Sequence, residues 1–185
     1  MPDLVYHVFD PRITFLVGDL TEQSVDAIVN TANSSLLGGG GVDGAIHHRG
    51  GPAILEACRE IRRTRWPDGL PVGEVVVTTA GRLPARHIIH TVGPIYGEHG
   101  GAESALLAAC YRNALLLAER MDLSSIAFPA ISTGVYGYPP ESAASVVMQA
   151  LHETLAKSQR IREVRLVFFN RSAMETFLTY GKIRA

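Results

Sequence analysis

Asp43 and His47 stand four residues apart, directly after four consecutive glycines, Gly38 to Gly41. Side chains at that spacing project from one face of a helix, and Val42-Asp43-Gly44-Ala45-Ile46-His47 reads as the first turns of one. A carboxylate and an imidazole so placed can orient a water and take its proton, which is the work of a general base. The glycines bring naked backbone to close range, and the unpaired N–H groups and positive dipole end of the following helix suit a phosphorylated ligand. A plain anion cradle has no use for a carboxylate, so Asp43 beside a phosphate site points to chemistry as well as binding. Spacing alone favours a plainer reading, in which Asp43 complements the helix dipole and His47 is a polar surface residue. The glycine run, taken alone, also suits a floppy surface loop.

A second glycine-bearing loop, Ser132-Thr133-Gly134-Val135-Tyr136-Gly137, precedes a helix that begins near Pro139-Pro140. Its N–H groups can form a concave nest for anionic oxygen, and two such loops suit a diphosphate. Read alone, it is equally a strand-to-helix turn. Asp19 is either a turn cap or an acceptor for an exocyclic amine, and Phe169 either packs in the core or stacks on a base. Gly39 to Gly44 formally matches G-x-G-x-x-G, which keeps a nicotinamide-dependent oxidoreductase in view. The match is weak, because Thr31 to Leu37 separate the glycines from the preceding strand. No lysine follows the run, which excludes a nucleoside-triphosphate P-loop. His48 points off the Asp43 face and His87 and His90 fall on opposite faces of a strand, so no metal site is expected.

The elements that must position these residues alternate along the chain. Strand signals cover Ile13 to Val17, Ala27 to Asn30, Glu74 to Thr79, His87 to Val92, Ser125 to Pro129 and Glu163 to Phe169, with a further edge strand at Leu4 to Phe9. Helical periodicity covers Pro52 to Arg65, Glu103 to Met121 and Pro140 to Lys157, and a closing helix at Ser172 to Tyr180 is capped by Ser172. This alternation predicts an α/β fold with a mostly parallel sheet and helices on both faces. The segment from Ala80 to Ala85 is too short for a crossover helix, so its flanking strands pair antiparallel and the sheet is mixed. Ligands of such sheets bind beyond the carboxyl ends of the strands, where the informative loops fall.

The chain of 185 residues is long enough for a substantial core, and its length favours one domain over 1–185. With a net charge of −1 and both signs interspersed, it offers no footprint for sequence-independent binding to a nucleic-acid backbone. Cys58 and Cys110 fall on the apolar stripes Ile54-Cys58-Ile61 and Leu106-Cys110-Asn113-Leu117, as core thiols in a reducing compartment do. No leader pattern and no membrane-length apolar stretch occurs, so a soluble, cytoplasmic protein with no membrane partner is expected.

Taken together, Gly18-Asp19-Leu20-Thr21, Val25 to Asn33, Gly38 to His47, Ile89 to Pro94 and Ile131 to Tyr138 resemble macrodomains, specifically the MacroD-type ADP-ribose-binding hydrolases. The segments occur in the family's order over most of Ile13 to Phe169. The resemblance implies a three-layer α/β/α sandwich that binds ADP-ribose, or ADP-ribosylated small molecules and proteins, without a cofactor. It implies that Asp19 accepts the adenine amine with Leu20 beside it, while Phe169 stacks on the base and Asn170 lines that end. Gly40, Gly41 and Val42, with Ser132, Thr133, Gly134, Val135 and Tyr136, would surround the diphosphate and distal ribose. Asn33 would hold a ribose hydroxyl, Asp43 matches the catalytic aspartate, and His47 matches a histidine near the distal ribose. Thr31, Leu20 and His48-Arg49 depart from the usual alanine, isoleucine and arginine-alanine; none removes a reacting group, although His48 bears on which substrate fits. The implied activity is hydrolysis of an ester at the distal ribose. A reader that binds ADP-ribose without cutting it is the alternative, and Asp43 and Asn33 argue against it.

Overall fold

The computed structural model describes residues 10–182, so the edge strand expected at Leu4 to Phe9 lies outside the described residues. Six strands and five α-helices follow one another: β1 (Ile13–Val17), β2 (Ala27–Ala32), α1 (Gly41–Gly50), α2 (Pro52–Thr64), β3 (Val75–Thr79), β4 (His87–Val92), α3 (Glu103–Arg120), β5 (Ser125–Phe128), α4 (Pro140–Leu155), β6 (Glu163–Phe168) and α5 (Arg171–Tyr180). A short 3-10 turn, Leu20–Glu22, lies between β1 and β2. The strands form one sheet in the order β1-β6-β5-β2-β4-β3. All neighbours are parallel except β3 and β4, whose short connection leaves no other option.

Alternation along the strands divides the apolar residues between two layers. Ala27 and Val29 of β2 pack with Leu107 and Tyr111 of α3, Val147 and Leu151 of α4, and Phe177 of α5. Ile28 and Ala32 face the other way, onto Ile46 of α1 and Ile54, Cys58 and Ile61 of α2. The result is the expected α/β/α sandwich. The carboxyl ends of β1, β6, β5 and β2 lie side by side along one edge, and their loops meet there.

Three local expectations change. Strand β2 runs on to Ala32, because Thr31 and Ala32 keep pairing with Thr91 and Val92 of β4 even though the Asn-Thr-Ala-Asn stretch looks like loop. The buried stripe of α3 is Leu107, Cys110, Tyr111, Ala114, Leu115 and Ala118, turned from the expected Leu106-Cys110-Asn113-Leu117. Tyr111 sets this rotation: its ring stacks on Phe128 with centroids 4.8 Å apart, while Asn113 lies at the margin and donates to the Gly73 carbonyl. Helix α5 is capped by Asn170, whose Oδ1 accepts from Ala173 N at 2.9 Å, and Ser172 lies inside the first turn.

Tyr111 also ties the core to the cleft. Its hydroxyl donates to the Pro129 carbonyl at 2.9 Å and accepts from Ile131 N at 3.1 Å, at the root of the second glycine-bearing loop. Replacing Tyr111 with Phe removes both bonds from a fully buried position, so denaturant unfolding is expected to show a loss of about 1–3 kcal/mol.

Candidate functional site

The loops after β1, β2, β5 and β6 enclose a cavity of about 600 Å³. Leu20, Asn33, Gly40, Gly41, Val42, Asp43, Ser132, Thr133, Gly134, Val135, Tyr136, Phe169 and Asn170 all line it, so thirteen of the residues singled out in the sequence come together at one place. Asp19 and His47 do not form its wall. Asp19 lies between the lining residues Gly18 and Leu20, and His47 lies one helical turn beyond Asp43.

The loop from Asn33 to Gly40 is built to bring backbone close to Asp43. Asn33 donates through Nδ2 to the Gly38 carbonyl at 3.0 Å, and its Oδ1 accepts from Ser35. Leu36 adopts a left-handed φ of +59° and is buried in the α1/α2 layer, while Leu70 N and Arg62 bind the carbonyls of Ser34 and Ser35 at 2.8 Å. Gly40 then caps α1, and Gly41 begins the helix with φ +57°, a region that favours glycine. A Cβ on Gly44 would stand 2.7 Å from the Gly39 carbonyl oxygen. The spacing of these glycines therefore sets how closely the loop folds back over the helix.

Asp43 is only 4 % exposed. Its Oδ1 accepts from Asn30 Nδ2 at 2.8 Å, while Oδ2 lies on the side of Gly39 and Asn33. His47 Nε2 is 3.3 Å from Oδ1 but out of line for an N–H donor, so the two groups are close without sharing a hydrogen bond. Asn30 in turn reaches His90, whose Nδ1 is 3.1 Å from Asn30 Nδ2 and whose Nε2 is 2.7 Å from Thr78 Oγ1. Burial, with His47 nearby, pushes the His90 imidazole down to about 3, which keeps it neutral. Along the chain Asn30 falls inside a motif and His90 reads only as a metal ligand; the register of β2 against β4 brings the pair together.

At the far end, Phe169 is 81 % exposed beside the cavity, in place of the core position usual for a strand-end phenylalanine. Asp19 is a cap: its Oδ1 accepts from Thr21 N and Oγ1 at 2.8 and 2.6 Å. The Thr21 hydroxyl, the Thr21 N–H and the Arg49 guanidinium, 3.2 Å from Oδ2, hold its carboxyl below the usual range. Of the residues not proposed as ligands, Gly93 matters most. A Cβ there would collide with Ser132 and Ile131, and Ser132 has a φ of +66° and a buried Oγ without a partner. The signal for Gly93 was its place at the end of β4, just before Pro94.

Gly44→Ala drives a methyl into the Gly39 carbonyl and is expected to lower the melting temperature, whereas Gly40→Ala, with nothing within 4 Å of the added carbon, is not. The folded value of His90, about 3, is below its unfolded value of about 6.5, so the unfolded chain binds the extra proton. The contribution of neutral His90 is complete above about pH 6.5 and is lost as pH falls toward the folded value. Unfolding measured across this range is expected to show wild type losing stability relative to His90→Gln; parallel profiles would contradict a buried neutral imidazole.

A macro domain-containing protein of Streptomyces griseus is 56% identical over 170 residues, covering 90% of this chain and 93% of its own length. A Salmonella typhimurium protein named O-acetyl-ADP-ribose deacetylase is 48% identical over 174 residues, 93% of each chain. The Oceanobacillus iheyensis macrodomain solved with ADP superimposes with a TM-score of 0.91 at 45% identity, covering 96% of this chain and 94% of that one. Residues 29–147 match the family model described as Macro domain, and the chain belongs to the Macro domain family.

Proposed function

We propose that this protein binds ADP-ribose and hydrolyses an ester at its distal ribose. The substrate is O-acetyl-ADP-ribose or ADP-ribose linked to a glutamate or aspartate side chain of a protein. The observation that carries this reading is the Asp43 carboxylate, nearly buried on the cavity wall with Oδ1 bound to Asn30 and Oδ2 on the side of the glycine loop. The names of the Salmonella typhimurium relative and of the Oceanobacillus iheyensis structure support the same class of ligand.

The parts of the cavity divide the ligand between them. Gly40, Gly41 and Val42 at the start of α1 offer N–H groups to one side of the diphosphate, and Ser132 to Tyr136 close over the other. The exposed ring of Phe169 stacks on adenine, with Leu20 and Asn170 beside it. The Asp19 carboxylate, which can only accept, takes the exocyclic amine. Asn33 has one amide hydrogen left after binding Gly38, and gives it to a ribose hydroxyl.

Asp43 orients a water through Oδ2 and takes a proton from it as the water oxygen attacks the ester carbonyl. Loop N–H groups meet the negative charge that develops on the carbonyl oxygen. Asp43 then returns the proton to the departing ribose oxygen, leaving ADP-ribose and a free carboxylic acid. His47 backs the carboxylate without drawing on its lone pairs. Two buried free thiols, Cys58 and Cys110, suit a cytoplasmic setting, and among the described residues no helix is long and apolar enough to cross a membrane.

Asp43→Ala is expected to slow turnover by about 10²- to 10⁴-fold while ADP-ribose affinity, read by calorimetry, stays within a few-fold. Unchanged turnover would move the chemistry away from Asp43. Mass spectrometry of an ADP-ribosyl-glutamate peptide is expected to show release of the modification. Its persistence at stoichiometric protein would leave a reader in place of a hydrolase.

A further inference from the structure

We propose that His90 is a positioning residue for this hydrolysis, acting through Asn30 to hold Asp43 with Oδ2 toward the cavity. The inference rests on Asp43 being the base. Asn30, His90 and Thr78 belong to β2, β4 and β3, with Asn30 and His90 directly paired in register. All three are buried, on the sheet face that Ile28, Val76 and Ile88 otherwise make apolar beneath α1 and α2.

Donor counting leaves the chain one arrangement. A carboxylate only accepts, so the amide of Asn30 must present Nδ2 to Asp43 Oδ1, 2.8 Å away. The second hydrogen of the same Nδ2 then points to His90 Nδ1 at 3.1 Å, which must offer its lone pair. The imidazole proton therefore sits on Nε2 and is donated to Thr78 Oγ1 at 2.7 Å, and the Thr78 hydroxyl donates on to the Thr79 carbonyl at 2.9 Å. Turning the Asn30 amide over would set its oxygen against a carboxylate oxygen and its Nδ2 away from both partners. Protonating His90 would set N–H against N–H.

The chain carries a cost that packing alone does not require. Asn30 Oδ1 is buried with no partner, in a layer where an apolar residue would fit. That cost is explained when the two N–H groups, and not the oxygen, are what the position needs. The other groups facing this cluster are Asp43 and His47 from α1 and Cys58 from α2, whose Sγ is 3.9 Å from His90 Nε2.

The test compares His90→Gln, which has no acceptor at the Nδ1 position, with His90→Asn, whose side-chain oxygen can take the place of Nδ1. On an ADP-ribosyl ester, His90→Gln is expected to lower kcat by about 10- to 100-fold with KM and ADP-ribose affinity little changed. The acidic limb of its kcat–pH profile should move to higher pH, because a carboxylate that loses an N–H donor binds protons more readily. His90→Asn should recover at least about tenfold of the lost rate. Equal losses in both variants that follow their melting temperatures, with the acidic limb unmoved, would overturn the proposal and leave His90 a packing residue. Nitrogen NMR of wild-type His90 provides a readout independent of folding in the variants: the neutral Nε2–H tautomer is expected from pH 5 to 8, and an Nδ1–H tautomer or a protonated ring would overturn the proposal. Asp43→Ala separates the two readings. If it hydrolyses at the wild-type rate, the reading of Asp43 fails; if it is slow while His90→Gln is unimpaired, only the role of His90 fails.

Discussion

A carboxylate that is almost buried must be solvated by the protein, and the hydrogen bond from Asn30 Nδ2 to Asp43 Oδ1 is how this chain does it. The bond crosses from the middle of the sheet to the first turn of α1, so it fixes both the helix and the acid at its tip. Asp43 also occupies the end of α1 where the dipole favours negative charge. With Oδ1 committed to the interior, Oδ2 is left to the side where the loop and cavity lie. The rest of the site is arranged around that asymmetry.

The loop that covers Asp43 needs backbone and little else. Left-handed residues mark its course at Leu36, Gly38 and Gly41, and the loop opposite holds Ser132 in the same region. Leu36 and Ser132 adopt it without being glycine, a conformation sustained by burial on each side of the sheet. The Leu36 side chain is sunk in the α1/α2 layer, and the root of the Ser132 loop hangs from Tyr111 in the opposite layer. Each cradle is therefore anchored in a different core, with the sheet between them as a rigid spacer. A ligand held by both would span the carboxyl ends of the strands without requiring either loop to become ordered.

Much of this was legible in the sequence because the signals were local. Tetraglycine before a helical turn placed α1 and Asp43, and continuous apolar runs placed the strands. The short Ala80 to Ala85 connection gave the antiparallel pair. What escaped was non-local. The rotation of α3 depends on Tyr111 finding Phe128, and the cap of α5 depends on where β6 stops, both of which are settled by packing. Asn30, Thr78 and His90 carry no joint signal along the chain, since 60 residues separate the Asn30–His90 pair and only strand register brings it together. Asp19 and Phe169 were each open between two roles. Asp19 uses Oδ1 as a cap and keeps Oδ2 beside Arg49, so the cap does not exclude the other role, and Phe169 lies outside the core, at the cavity.

The proposed hydrolysis requires the Asp43 carboxylate to face the distal ribose of a bound nucleotide sugar. A crystal structure with ADP-ribose tests it most directly. The distal ribose is expected beside Asn33 and the glycine loop, with a water bridging it to Asp43 Oδ2 at about 2.6–3.2 Å on each side. A distal ribose pointing out of the cleft, or a sugar seated with Asp43 Oδ2 beyond the reach of one water, would contradict it.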